Sequence, residues 1–281
     1  IKLSFDKAVF RRMFQYALPL VIVGVAGVIN QLIDRFLVKE LLPGSLVENL
    51  SQSGIYNACV KIAVLMLLFT TAFNYAAEPF FFKNADRKDA QLIYAKVGQA
   101  FAIVGSIVFL VISLYIDIFQ YLIGRDFREG LGIVPILLMA YLFLGLYYNF
   151  SIWYKLKDKT HYGAMIASAG AVITLLLNFI LVPEIGYYGS SIASLACFAA
   201  MCAMAIYFGR KFYPIPYPLL SMGKNILLAV ILYGISFGLG TKIDNTILLL
   251  LSNTILLVIF IVFILKSQRN LIQELLGIKT S

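Results

Sequence analysis

The hydrophobic positions of this chain fall into long runs that short, turn-rich stretches separate. Each run is about as long as the roughly 20 apolar residues that an α-helix needs to cross a bilayer. The pattern predicts eight transmembrane helices, over residues 14–38, 55–82, 94–122, 131–154, 162–182, 188–209, 223–240 and 246–265. Because the connections are short, we expect neighbouring helices to run antiparallel.

The composition supports a membrane protein. Hydrophobic residues make up 61% of the chain and charged residues only 13%. Soluble domains contain about 45–50% apolar and about 25% charged residues. An apolar surplus of this size does not fit inside a soluble core, because the surface still has to be covered by polar groups. The predicted fold class is therefore an all-α integral membrane protein.

Basic residues are distributed unevenly between the two sides of the predicted bundle. Most lysines and arginines lie in both terminal segments and in alternate loops, whereas the opposite loops hold only Lys39, Arg125, Arg128 and Lys242. By the positive-inside rule, both ends of the segment are cytoplasmic. The net charge of +9 then lies mostly on the cytoplasmic side, where anionic lipids attract basic residues. A nucleic-acid partner is therefore not expected.

The two ends of the chain have an amphipathic pattern. In residues 1–13, Phe5, Val9 and Met13 recur every four residues among basic side chains. This spacing predicts a short helix that lies on the cytoplasmic membrane surface. The tail, residues 266–281, is interpreted as a cytoplasmic segment of the same kind.

Polar residues form a stripe on the first predicted span. Gly27, Asn30, Gln31 and Asp34 are spaced three and four residues apart, so they share one helix face. Ionisable residues inside spans usually face a bundle interior or a wet cavity. Arg35 points about 100° away from Asp34. The alternative is that both charges lie near the outer interface, where Arg35 reaches water.

Two further charged residues lie in the second span. Lys61 is expected at a depth similar to that of Asp34, so these two residues either form a structural pair or leave Lys61 and Arg35 to contact an anionic group. Glu78 precedes Pro79, which is expected to kink or end the helix. Glu78 is interpreted as an interfacial acid or as a gate residue paired with Lys83 or with a neighbouring helix.

Enzymatic chemistry finds little support in the sequence. His161, the single histidine, lies in a predicted cytoplasmic loop with no nucleophile nearby. No Gly-rich phosphate loop, paired metal ligands or Ser/His/Asp set is apparent. We therefore expect a protein that is not an enzyme and that uses no cofactor or metal.

Three segments of the chain carry a family resemblance. They are "YALPLVIVGVAGVINQLIDRFLV", "GIYNACVKIAVLMLLFTTAFNYAAEPFFF" and "NFILVPEIGYYGSSIAS". In the last segment, Asn178 precedes Pro183, Gly186 and Gly189 mark a tight turn, and a helix rich in Ala and Ser follows. In this order the segments resemble the polysaccharide and oligosaccharide flippase family of the multidrug/oligosaccharidyl-lipid/polysaccharide exporter superfamily.

The resemblance implies an architecture. Family members have two six-helix lobes around a central cavity, with any extra helix pair at the C-terminus. The chain would then correspond to helices seven to fourteen: a lobe over residues 14–209, followed by a helix pair over residues 210–265. The N-terminal lobe of the same chain would be missing here, and the location would be the bacterial inner membrane.

The resemblance also implies a function and a site. A polyprenyl-pyrophosphate-linked oligosaccharide, such as an O-antigen unit for lipopolysaccharide, would cross the membrane by alternating access. Asp34 and Asn178 form a candidate cation site. The candidate cavity-lining residues are Asn30, Gln31, Asp34, Arg35, Lys61 and Glu78. The alternatives are a drug or metabolite exporter of the same superfamily, a membrane-embedded polysaccharide polymerase or ligase, and a structural membrane protein without a cavity.

Overall fold

The computed structural model describes residues 6–243, 245–269, 271 and 273. Apolar spans form helices because a helix satisfies every backbone hydrogen bond within one segment. The helices are α1 Lys7–Leu41, α2 Leu46–Lys83, α3 Ala90–Leu114, α4 Ile116–Phe119, α5 Val134–Phe150, α6 Ile152–Leu156, α7 Thr160–Ile185, α8 Tyr187–Phe212, α9 Leu219–Gly240 and α10 Thr246–Ser267. Two 3₁₀ helices, Gln120–Leu122 and Arg125–Ile133, lie between α4 and α5. The described ranges contain no strand.

The predicted fold class is confirmed. Eight helical stretches in the described part of the chain are long and apolar enough to cross a membrane. They follow the predicted spans in order, with Arg125–Leu156 as the fourth. This chain is therefore a multi-pass α-helical membrane protein.

The ends of the helices differ from the predicted ends for local reasons. The second helix begins nine residues before the predicted position 55, because Ser45 and Glu48 form a capping box in which each side chain accepts the other's backbone N–H. The same helix continues through Pro79 to Lys83, so this proline does not end it. The third predicted span is interrupted at Tyr115, where α3 stops and the short α4 begins.

The short surface helix expected over residues 1–13 does not form as a separate element. From Lys7 onward the chain already belongs to α1, which continues without a break through Pro19 to Leu41. The side chain of Asp6 caps this helix by accepting hydrogen bonds from Ala8 N and Val9 N. Residues 1–5 lie outside the described residues, as does most of the predicted C-terminal amphipathic segment.

The basic segments meet at one end of the bundle, which we call the basic end. Here Thr160 Oγ1 at the start of α7 donates to Tyr16 O near the start of α1 at 3.1 Å. Gln99 near the start of α3 donates to Gln268 beyond the end of α10 at 2.6 Å. By the positive-inside rule, we expect this end to face the cytoplasm.

The core centres on α5, which packs against α2, α3 and α8. The helix pair α9 and α10 lies beside α3. Asn253 on α10 ties the three together, since it accepts from Ser236 at 2.6 Å and donates to Leu114 O at 2.6 Å. Trp153 on α6 is fully buried and donates to Ala205 O on α8 at 3.0 Å.

Replacement of this tryptophan tests the packing of the basic end. Trp153→Ala should lower the free energy of unfolding by about 3 kcal/mol or more, because it leaves a cavity and removes the bond to Ala205. The measurement is thermal unfolding in detergent, followed with a thiol-reactive dye that detects exposure of the buried cysteines. Tyr207→Ala is the control, since Tyr207 on α8 is 72% exposed. Equal losses in both variants would contradict the described burial.

Candidate functional site

Asp34 is buried where α1 meets α7 and α8. It is only 2% exposed. Asn178 Nδ2 donates to Asp34 Oδ1 at 2.9 Å, and the Ser194 hydroxyl donates to Oδ2. The side chain of Tyr56 on α2 lies beside this carboxylate. Four helices therefore converge on one ionisable group.

The amide of Asn178 is held at both of its polar atoms. Its Nδ2 also donates to Thr174 O at 2.8 Å, and its Oδ1 accepts from the Ser190 hydroxyl. Every residue of this group is buried. We call the group the Asp34 network; its members are Asp34, Tyr56, Asn178, Ser190 and Ser194.

The carboxylate of Asp34 has no cation as a direct partner. No ion pair to Asp34 occurs within the described ranges. Its hydrogen-bond donors in the described structure are an amide and a hydroxyl, which are neutral groups. A buried charge is costly unless it is paired and hydrogen-bonded. The network therefore supplies hydrogen bonds to Asp34 but no ion pair from the described residues.

The helical repeat places the polar residues of this region on facing surfaces. Residues four apart lie on the same helix face. Three helices each contribute such a pair: Asn30 and Asp34 on α1, Thr174 and Asn178 on α7, and Ser190 and Ser194 on α8.

Glycine allows these helices to approach one another closely. A Cβ atom at Gly170 on α7 would lie 3.1 Å from Asn30 Nδ2 and 2.6 Å from Met201 Sδ. Asn30 is buried in this contact, where its Nδ2 donates to Ala167 O and its Oδ1 accepts from Thr174 Oγ1, each at 3.4 Å. A second polar layer thus lies one helical turn from Asp34.

Arg35 turns away from its neighbour Asp34, as the helical rotation predicts. It is partly buried, and its charge acts on Tyr56 and Tyr141. The Nε atom of Arg35 is buried without a hydrogen-bond partner in the described part of the chain. The backbone carbonyl of Arg35 accepts from Ser53 Oγ at 3.4 Å.

The structural pair between Asp34 and Lys61, one of the two alternatives left open by the sequence, does not form in the described structure. Lys61 is exposed on α2, and the described residues include no carboxylate paired with it. Sequence position predicts that Asp34 and Lys61 lie at similar depths in the membrane. It does not predict the direction in which each side chain points. Asp34 points towards α7 and α8 instead.

Gln31 and Glu78 lie towards the basic end, apart from the Asp34 network. The side chain of Gln31 lies beside the hydroxyl of Tyr148. Glu78 Oε1 pairs with Lys155 Nζ on α6 at 2.7 Å, so its partner comes from a neighbouring helix and not from Lys83. Both Glu78 and Tyr148 line a cavity of about 220 Å³ between α1, α2 and the α5–α6 segment.

Several residues of these sites were missed by the sequence analysis. Tyr56, Ser190 and Ser194 were not singled out for a site, and neither was Lys155. The signal for the serines was their spacing of four, which matches that of Asn30 and Asp34. Tyr56 and Lys155 carry no comparable pattern.

The side chains of the Asp34 network limit which ions it could bind. No group of three or more His, Cys, Asp or Glu side chains that could hold a metal ion occurs in the described residues. The Asp34 network offers one carboxylate together with amide and hydroxyl oxygens. Hard cations prefer oxygen ligands, and a single carboxylate balances one positive charge. The chemistry therefore fits a proton or a monovalent cation.

A pair of double-mutant cycles tests this geometry. Asp34→Ala and Asn178→Ala should show a coupling free energy of about 1 kcal/mol or more, because the two side chains share a buried hydrogen bond. Asp34→Ala and Lys61→Ala should be additive within about 0.5 kcal/mol, because no contact joins them. Unfolding of the three single and two double variants in detergent, beside the parent, gives both values. A larger coupling for the Lys61 cycle would overturn the described arrangement.

Comparison with known proteins agrees with the membrane assignment. No protein-family model matches the chain. A curated protein similar to it is the uncharacterized membrane protein YabM of Bacillus subtilis (strain 168), which is 22% identical over 211 residues. The match covers 72% of this chain and 38% of YabM, so the chain spans well under two thirds of the relative's length. Both the relative and the eight candidate spans indicate a multi-pass membrane protein.

Proposed function

We propose that this chain is the C-terminal part of a flippase that moves a polyprenyl-pyrophosphate-linked oligosaccharide across the bacterial inner membrane by alternating access. The observation that carries this proposal is the buried carboxylate of Asp34, which accepts hydrogen bonds from neutral donors of α7 and α8 where these helices meet α1. Ionisable groups inside membrane spans commonly mark transport pathways.

The three segments that resemble flippases meet at this carboxylate. The first segment contributes Asp34, the second contributes Tyr56, and the third contributes Asn178, Ser190 and Ser194. They are far apart in sequence, since Asp34 and Asn178 are separated by 144 residues. Their convergence on one ionisable group supports a common functional role.

The network supplies a mechanism for coupling. When a proton or monovalent cation binds Asp34, the charge of the carboxylate is neutralised and its hydrogen bonds to α7 and α8 are rearranged. Ligand binding then favours one arrangement of α1 relative to α7 and α8 over another, which is the requirement for a ligand to shift a conformational equilibrium. In this proposal Asp34 and Asn178 form the cation site, with the hydroxyls of Ser190 and Ser194 as further oxygen ligands.

Arg35 and Lys61 are the proposed contacts for the pyrophosphate. An exposed lysine within a transmembrane helix is costly against lipid and usually faces a water-filled cavity or a partner. Lys61 is such a residue. Arg35 retains a guanidinium nitrogen without a partner in the described structure. Charge-assisted hydrogen bonds from such cations to phosphate are among the strong ones.

The exposed face of α1 fits the proposed N-terminal lobe. Large apolar residues line this face, including Val21, Val25, Val28 and Leu32. In the proposal, part of this surface faces the N-terminal lobe across the central cavity. The candidate cavity-lining residues Asn30 and Gln31 lie on the same helix. Glu78 and Lys155 would lie at the basic end of the route, where their ion pair can open and close a gate.

Export by variants tests the proposed function. In cells without the chromosomal copy, Asp34→Ala and Lys61→Ala should each lower surface polysaccharide by about tenfold or more, the effect of roughly 1.4 kcal/mol on a rate. The lipid-linked precursor should accumulate, while the amount of protein in the membrane stays unchanged. Asp117→Ala and Lys242→Ala are matched charge controls outside the proposed site.

Normal export in both site variants would contradict the site. Drug sensitivity without loss of surface polysaccharide in the deletion strain would favour the exporter alternative.

Cation binding can be tested without the substrate. Sodium or potassium at ten times its dissociation constant should stabilise the purified protein by about 1.4 kcal/mol, because it binds only the folded state. Thermal unfolding against a choline background measures this shift. Asp34→Asn should abolish the shift, whereas Asp117→Asn should retain it. A parent protein that neither cation stabilises would contradict the cation site.

A further inference from the structure

The start of α9 forms a polar recess at the basic end, outside the Asp34 network. A cavity of about 550 Å³ lies beside the first turns of α9, and its polar lining comprises Ser221, Lys224, Asn225, Ser267 and Gln268. None of the described residues that line it is acidic. The recess is therefore positively charged.

Asn225 is buried in the wall of this cavity without a partner. It is fully buried, yet neither its Nδ2 nor its Oδ1 has a hydrogen-bond partner in the described structure. A buried amide without partners is costly, and such groups are rare in folded proteins. An orphaned amide that lines a cavity indicates a ligand with polar atoms at that place.

The backbone of α9 adds two donors at the same end. Pro218 precedes the helix, and no side chain caps it. Leu219 N bonds to Tyr217 O, but the N–H groups of Leu220 and Ser221 have no acceptor among the described residues. Helix N-termini bind anions through such free N–H groups and the helix dipole.

Basic side chains surround this anion-binding geometry. Lys224 is exposed, and no carboxylate pairs with it in the described ranges. An adjoining cavity of about 410 Å³ shares Ser267 and Gln268 and is lined by Lys266 and Arg269 as well. The combined recess thus offers donors and positive charge without a balancing acid from the described lining.

We propose that this recess binds the phosphate of an anionic phospholipid, with Lys224, Asn225 and the free N–H groups at the start of α9 as its contacts. Asn225 Nδ2 donates to a phosphate oxygen, and Asn225 Oδ1 accepts from a headgroup hydroxyl such as that of phosphatidylglycerol. The proposal goes beyond the flippase assignment and does not depend on it.

The surface beside the recess favours a lipid over free phosphate. Leu220, Leu227, Val230 and Ile231 form an exposed apolar surface along α9, from the recess into the span. Acyl chains of a lipid whose phosphate lies in the recess can pack along this surface. A small soluble anion would leave it uncovered.

Thermal stability of the natural full-length protein tests the site. The delipidated protein is titrated in mixed micelles with phosphatidylglycerol, with phosphatidylcholine or with inorganic phosphate alone. We expect phosphatidylglycerol to raise the unfolding temperature and the other two to leave it unchanged. Lys224→Gln should require about tenfold more phosphatidylglycerol, because it removes a charge-assisted contact to the phosphate. Lys83→Gln, the same change at an exposed site on α2, should behave like the parent.

Asn225→Leu gives a second, opposite readout. Without lipid it should unfold at a higher temperature than the parent, because it removes an unpartnered buried amide. With phosphatidylglycerol it should show no further rise. A full response in both Asn225→Leu and Lys224→Gln, or an equal loss in Lys83→Gln, would overturn the site. Equal stabilisation by phosphate alone would overturn the assignment to a lipid.

Discussion

The interaction on which the arrangement of helices depends is the burial of the Asp34 carboxylate among neutral donors. In a membrane, apolar side chains pack against lipid tails about as well as against each other, so hydrogen bonds and close packing set the arrangement of helices. Asp34 accepts hydrogen bonds from α7 and α8 at once, and Tyr56 of α2 lies beside it. These bonds fix how α1 is rotated and how far it is inserted.

The same constraint explains why small residues accompany the polar ones. Short side chains such as Ser190 and Ser194 reach their partners only when the helices are close. Gly170 provides that proximity on α7. At the turn between α7 and α8, Gly186 adopts a φ of 62°, a left-handed conformation that glycine tolerates at little cost. Small residues in the α7–α8 hairpin therefore allow the close approach of the helices that the hydrogen bonds of Ser190 and Ser194 require.

The sequence predicted the number and order of the spans because hydrophobic runs report directly on the bilayer. It also placed Asp34 and Asn178 in one candidate site, through the family resemblance. It did not predict the direction of Lys61, since helix depth carries no information on rotation against neighbours. The capping box at Ser45 and the Asp6 cap moved helix ends that hydrophobicity alone placed elsewhere. Lys155 was missed as the partner of Glu78, because that contact depends on the break between α5 and α6.

The unbroken length of α1 has a mechanical consequence. The helix runs from Lys7 to Leu41, and Asp34 lies near its far end. At 1.5 Å per residue, the first residue of α1 is about 40 Å from Asp34. If the Asp34 contacts act as a pivot, a tilt of about 10° displaces that end by about 7 Å. Because Thr160 Oγ1 also ties the start of α1 to α7 at Tyr16 O, a displacement of this size at the basic end requires that α7 moves with α1 or that this bond breaks.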